Sequence, residues 1–308
     1  MINLHLVDRA KSVLIQNLSL KPTESLLIVT DDEKVDIAEL FYQAGSLISN
    51  NIALMRMPTR NKSGEEPTDL VHLLMKQAHA VLCITEHSLT HTQARKDASA
   101  LGARVATMPG ITLDMLEHGA IAADYHEVQT LTKHYCQLLE NGSTVTIKKD
   151  DTELTFSIKD RPSISSTGVF TEKGQSGNIP SGESYIAPIE NSANGQILID
   201  GSISNIGVLS EPVLLTIESG RLVDASGNQG QDLLSLLGDG DGRTIAEFGI
   251  GTNKKARLTG NVLEDEKVYG TVHIAFGSNK SFGGITEAGV HIDCVIKDPH
   301  VWIDCQKI

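Results

Sequence analysis

The sequence predicts an α/β N-terminal domain with a parallel sheet, residues 1–141, followed by a β-rich α+β domain, residues 142–308. Three observations carry this. Up to Asn141 short apolar runs alternate with stretches of helical spacing, the pattern of a parallel sheet with helices on its faces. Beyond Gly142 the chain breaks into short β-branched runs separated by Gly, Asn, Asp and Ser, which read as strands and turns. Aromatic residues are only 4% of the chain, with one tryptophan, so the core must be built from Val, Ile, Leu and Ala.

In chain order, Leu4 to Leu18 has helical spacing and Ser25–Thr30 reads as a short buried strand. Asp31 and Asp32 suit the start of a helix over Val35 to Ile48, because a short acceptor side chain caps free N–H groups. Strands follow at Ile52 to Met57, His79 to Thr85 and Arg104 to Met108, the last ended by Pro109-Gly110. Helices are expected at Asp69 to Gln77, Ser88 to Leu101, Leu113 to His118 and Glu127 to Glu140. After the Asn141-Gly142 break, Thr144–Lys148 and Leu154–Ile158 form a hairpin across Asp150-Asp151. Only Asp232 to Leu237 reads as helix in this second part. Gly238-Asp-Gly-Asp-Gly242 lacks the spacing and closing glutamate of a calcium loop and reads as a turn.

Charge narrows the function classes. The net charge is −13 and no Lys/Arg cluster interrupts it, so binding to nucleic acid or an anionic membrane is not expected. No apolar run is long enough for a transmembrane helix, and Asp8, Arg9 and Lys11 break any signal-like stretch. The four cysteines, Cys83, Cys136, Cys294 and Cys305, form no Cys-x-x-Cys pair, which suits a reduced, cytoplasmic location.

Polar residues inside apolar strand-like runs are the strongest functional signal. Thr271-Val-His-Ile-Ala-Phe-Gly277 holds His273, and Gly289-Val-His-Ile-Asp-Cys-Val295 holds His291 and Asp293. Side chains alternate along a strand, so His291 and Asp293 point the same way while Ile292 and Cys294 point the other. Thr244-Ile-Ala-Glu-Phe-Gly249 opposes Glu247 to Ala246 and Phe248 in the same manner. Glu266 and the upstream Glu183 complete a set of acids and imidazoles that would be costly to bury without a cation. Imidazole and carboxylate are natural ligands for zinc, manganese, iron or cobalt, so a metal-dependent enzyme is expected.

These pieces together resemble the aminopeptidase T/aminopeptidase S family of metallopeptidases. Asn178-Ile-Pro-Ser-Gly-Glu-Ser-Tyr-Ile-Ala-Pro188 with Asn194-Gly195, Ala246-Glu-Phe-Gly-Ile-Gly-Thr-Asn253, Asp265-Glu266 with Gly270–Gly277, and His291-Ile-Asp293 follow the family's motif order. The resemblance implies an aminopeptidase that removes N-terminal residues from small peptides and works as a homodimer. It implies two divalent ions per chain (Zn, Co or Mn), bound by Glu183, Glu247, His273, His291 and Asp293, with Glu266 as ligand or general base. Two such ions would activate a bridging water and polarise the scissile carbonyl. Glu266 lies seven residues before His273, a looser spacing than the family's. Where the family has a tyrosine after its first histidine this chain has Lys280, which suits an oxyanion or a substrate carboxylate.

The 2,5-dihydroxypyridine dioxygenases of the same superfamily resemble this chain around His273, His291 and Asp293. That set is a 2-His-1-carboxylate site, suited to one Fe(II) with open positions for oxygen. Glu183 and Glu247 favour the peptidase of the two, and a binding protein that keeps the fold without catalysis is the third possibility. His87 and His91, four apart before a helix, have no acid nearby and are expected to be solvated.

Overall fold

The computed structural model describes residues 4–308. The chain forms two compact units: one runs to Gln129 and includes Gly168–Ser181, and the other is Thr130–Thr167 with Gly182–Ile308. The expected α/β part followed by a β-rich part is observed.

The first unit is built on a five-stranded parallel sheet in the order Ile52–Arg56, Leu26–Thr30, Ala80–Ile84, Arg104–Thr107, Ser176–Asn178. Leu26–Thr30 and Ala80–Ile84 are buried along their whole length. That explains their unbroken apolar runs, since a parallel strand is covered on both faces. The helix expected from Ser88 begins later, at Gln93, because the Thr92 hydroxyl accepts from the Arg95 N–H and caps it there. The fifth strand, Ser176–Asn178, carries no apolar signal and was not expected from the sequence.

The second unit consists of two seven-stranded sheets. One contains the expected hairpin, observed as Thr144–Lys149 against Thr152–Ser157, with Asp150 in the left-handed conformation at its turn. The other runs in the order Gly207–Val208, Ser202–Ile203, His291–Lys297, Thr271–Gly277, Ile245–Gly251, Glu183–Ile186, Ser163–Ser166, every pair antiparallel. One apolar cluster joins both sheets, with Leu154, Phe156, Ile197 and Leu215 from the first and Phe248, Ile274, Phe276, Ile292 and Cys294 from the second. Each such side chain contributes roughly 1.5–3 kcal/mol by leaving water, which fixes which face of the second sheet is free for chemistry.

Two details differ from the sequence expectation. The helix foreseen from Asp232 starts earlier, spanning Gly227–Leu237, and a short helix Val262–Asp265 precedes the His273 strand. The Gly238–Gly242 segment is a turn as expected. Arg243 Nε donates to the Gly238 carbonyl at 2.6 Å and Arg221 Nη1 to the Gly240 carbonyl at 2.9 Å, so its carbonyls serve guanidinium groups. Among the described residues no helix is long and apolar enough to cross a membrane.

Candidate metal centre

Four adjacent strands of the second sheet place their polar side chains on the face opposite the core. In the register, Glu247 pairs with Ala275 and Ala275 with Asp293, so two carboxylates flank an alanine. In the next row Tyr185 pairs with Gly249 and Gly249 with His273. Glu183 pairs with Gly251, and His291 with Gly277. Each functional side chain therefore stands beside a glycine or alanine. The need is most acute at Gly249, where a Cβ would lie 2.1 Å from His273 Nε2.

The resulting cluster is tight. His273 Nε2 lies 3.2 Å from Glu247 Oε1 and 3.7 Å from Glu183 Oε2. His291 Nε2 lies 3.4 Å from both Glu247 Oε2 and Asp293 Oδ1. Three sets of ligand atoms come within 4.8 Å of one another: Glu183–Glu247–His273, Glu247–His291–Asp293 and Glu266–His273–Asp293. Glu247 and Asp293 each share a set with either histidine. Five of the residues singled out from the sequence, with Glu266 as the sixth, are brought together.

Three features fit a divalent cation. His291 Nδ1 is 2.8 Å from the Ser278 carbonyl oxygen; a carbonyl only accepts, so Nδ1 carries a hydrogen and Nε2, which faces the two carboxylates, is the nitrogen left for a cation. Ser204 Oγ donates to Asp293 Oδ2 at 3.1 Å and orients it. Glu183 Oε2 and Asp293 Oδ1 are buried without a hydrogen-bond partner, a costly state that positive charge bound beside each would relieve.

The titration behaviour follows the same geometry. Burial pushes the His273 imidazole down, but Glu247, Glu183 and Asp293 outweigh it and carry it up to about 9. His291 is likewise raised, chiefly by Asp293 against the cost of burial. Burial works to raise Asp293 and Glu247, yet the adjoining imidazoles hold both carboxyls low. Glu266 goes the other way, pushed up to about 8 by burial and by Glu183. The cluster thus attracts positive charge and keeps one carboxyl near its protonation point at neutral pH.

Lys280 is not part of the cluster. It is exposed and pairs with Glu287 at 2.7 Å. No metal-ligating set among the described residues contains His87 or His91. In the first unit Arg95 Nη1 instead donates to Ser176 Oγ at 3.1 Å and Arg95 Nε to the Thr90 carbonyl.

The sequence reading missed Lys267. Its side chain is buried, with Nζ 2.8 Å from Glu183 Oε1 and also bonded to Glu266. In sequence it follows Glu266 and reads as a surface charge pair, and no local pattern distinguishes the two. It also missed an aromatic wall: Tyr185 meets Phe282 edge-on at 5.4 Å between centroids, and Phe282 meets His291 at 6.0 Å. Burial, together with Glu247, Glu183 and Glu266, raises the Tyr185 phenol and keeps it protonated.

Among solved structures the chain is similar to 2,5-dihydroxypyridine dioxygenase from Pseudomonas putida KT2440, with a TM-score of 0.83 and 17% identity over 100% of this chain and 96% of that one. It is also similar to wild-type AmpT from Thermus thermophilus, with a TM-score of 0.63 and 14% identity over 100% of this chain and 98% of that one. At these identities both are likenesses of fold alone. A search of curated proteins found no match. The family model of 2,5-dihydroxypyridine 5,6-dioxygenase (NicX) matches residues 6–308, which reverses the order given to the two resemblances. Because that match runs through both units and every strand of the cluster, the chain belongs to the 2,5-dihydroxypyridine 5,6-dioxygenase family.

Proposed function

We propose that this protein is an Fe(II)-dependent ring-cleaving dioxygenase acting on a hydroxylated nitrogen heteroaromatic of the 2,5-dihydroxypyridine type. The observation that carries the proposal is the family match over residues 6–308. Asp293 shares one ligand set with His291 and another with His273, and these three would form a 2-His-1-carboxylate set, which holds Fe(II) while leaving positions open. An iron(II) ion held there would let dioxygen react with an electron-rich ring, both oxygen atoms entering the opened product.

The chain's own residues set up that reaction. Ser278 and Ser204 fix the orientation of His291 and Asp293. Phe282 and Tyr185 offer aromatic surface next to His291, suited to stacking against a planar substrate ring. Glu266, raised to about 8, carries a proton over most of the neutral range and is placed to exchange it with a ring hydroxyl or the product. Glu247, beside both histidines, offers a further carboxylate to the ion.

One observation favours the second reading, a metallo-aminopeptidase. Glu247 belongs to both the Glu183–Glu247–His273 and the Glu247–His291–Asp293 sets, as a carboxylate bridging two ions would. The test separates the two. Protein reconstituted anaerobically with Fe(II) and given 2,5-dihydroxypyridine should consume one dioxygen per ring opened. Protein loaded with Co(II), Mn(II) or Zn(II) should leave a free-amine tripeptide intact. Absence of oxygen uptake combined with release of the tripeptide's first residue would replace the first reading by the second.

A further inference from the structure

We propose that Lys267 is a built-in substitute for a second metal ion, and that its ammonium limits the centre to one divalent cation. This rests on reading the cluster as a metal centre.

The starting point is an anomaly of burial. Lysine is almost never fully buried unless paired, yet Lys267 is 1% exposed. Its backbone is held at both ends, the N–H donating to the Glu264 carbonyl at 3.0 Å and the carbonyl accepting from Asn253 at 2.9 Å. The side chain is therefore directed inward by a fixed backbone. It ends on one oxygen of Glu183 and one of Glu266.

Those two contacts divide the three ligand sets unequally. Glu183 belongs to the set with Glu247 and His273, and Glu266 to the set with His273 and Asp293. Both of these sets hold a carboxylate already bonded to the ammonium. The third set, Glu247–His291–Asp293, holds no carboxylate hydrogen-bonded to Lys267, and its His291 side chain is 30% exposed. A cation is therefore directed to Glu247, His291 and Asp293, with His273 alongside.

A second divalent ion would need the Glu183 and Glu266 oxygens, and would sit about 3.5–4 Å from the first, the usual spacing of paired catalytic ions. Lys267 supplies positive charge at those oxygens without a vacant coordination position, so it neutralises them without binding and activating a water as a second ion would. One oxygen of each carboxylate that suggests a two-ion hydrolase is thereby occupied, and the negative charge left to attract a second ion is reduced. This leaves the one-ion arrangement that oxygen chemistry uses.

The experiment is a metal count on the whole protein. Chelator-stripped protein is titrated with Co(II), following heat and the cobalt absorption bands, with circular dichroism as the check on folding. Wild type should bind one equivalent. Lys267→Met should bind two, as should Lys267→Gln, which keeps a polar group should the methionine variant fail to fold. Two equivalents in wild type, or one in either folded variant, would overturn the assignment of Lys267 and leave the metal centre standing. No binding by natively folded wild type would instead remove the metal centre itself, and the Lys267 role with it.

Discussion

Gly249→Ala offers a sharp test of how the centre is built. Gly249 stands directly across from His273, and an added Cβ would lie 2.1 Å from Nε2 and 2.2 Å from Cε1 of that imidazole, more than about 1 Å inside ordinary contact. His273 is fully buried, so the ring cannot swing into solvent, and either it shifts or the two strands separate. Overpacking of this kind costs about 1–3 kcal/mol in stability. Loss of a supporting group around a ligand lowers metal affinity by about 10–100-fold, and moving the ligand itself should do at least as much. Calorimetric titration of Co(II) into chelator-stripped protein measures the affinity, with thermal unfolding followed in parallel. Gly240→Ala is the control, because its Cβ would meet nothing within 4 Å, and it should match wild type in both measurements. If Gly249→Ala binds cobalt as tightly as the control, His273 is not a ligand and the packing account of the glycine fails.

Three further outcomes are expected. Ser204→Ala removes the hydroxyl that donates to Asp293 and should weaken metal binding about tenfold with little change in the unfolding curve; unchanged affinity would show that Asp293 needs no support. Lys280→Ala should leave metal content, stability and turnover at wild-type values, since Lys280 is exposed and pairs only with the exposed Glu287. A loss of turnover would return Lys280 to the catalytic set. The pH dependence has a definite sign: His273, at about 9 in the metal-free fold, is raised above the roughly 6.5 of an unfolded histidine. Its contribution to metal-free stability is then complete below about 6.5 and lost as pH rises through about 9. A metal ion must displace that proton, so affinity should climb across the same window; calorimetry in buffers of different ionisation heat would count the protons released, and a flat affinity profile would contradict the assignment.

Much of the site was legible in the sequence because strand periodicity is strict. A histidine or acid set among Ile, Val and Phe at alternate positions can only face away from what its neighbours bury, and this located Glu247, His273, His291 and Asp293 on one side of their strands. Lys267 was not legible, since nothing adjacent to it distinguishes a buried ammonium from a surface one. Its environment is made by Glu183, far back in the chain. Ser204 was hidden for the same reason, its partner Asp293 lying 89 residues on. The late start of the helix at Gln93 turned on one threonine hydroxyl, and the Ser176–Asn178 strand on pairing alone. The family preference went astray at Glu183 and Glu247, whose residue types suit either chemistry. Their partners, above all the ammonium on Glu183, are a property of three dimensions.

The two faces of the Ile245–Gly251 and Thr271–Gly277 strands answer to different demands. Phe248, Ile274 and Phe276 hold the sheets together, while Glu247, Gly249, His273 and Ala275 occupy the opposite side of the same backbone. Trimming a polar side chain leaves the apolar side intact, so variants that lose a ligand should remain folded, whereas added bulk at Gly249 would disturb the strands themselves. A scaffold divided in this way can be handed from one reaction to another over evolutionary time, with a change of charge on the outer face and no redesign of the core.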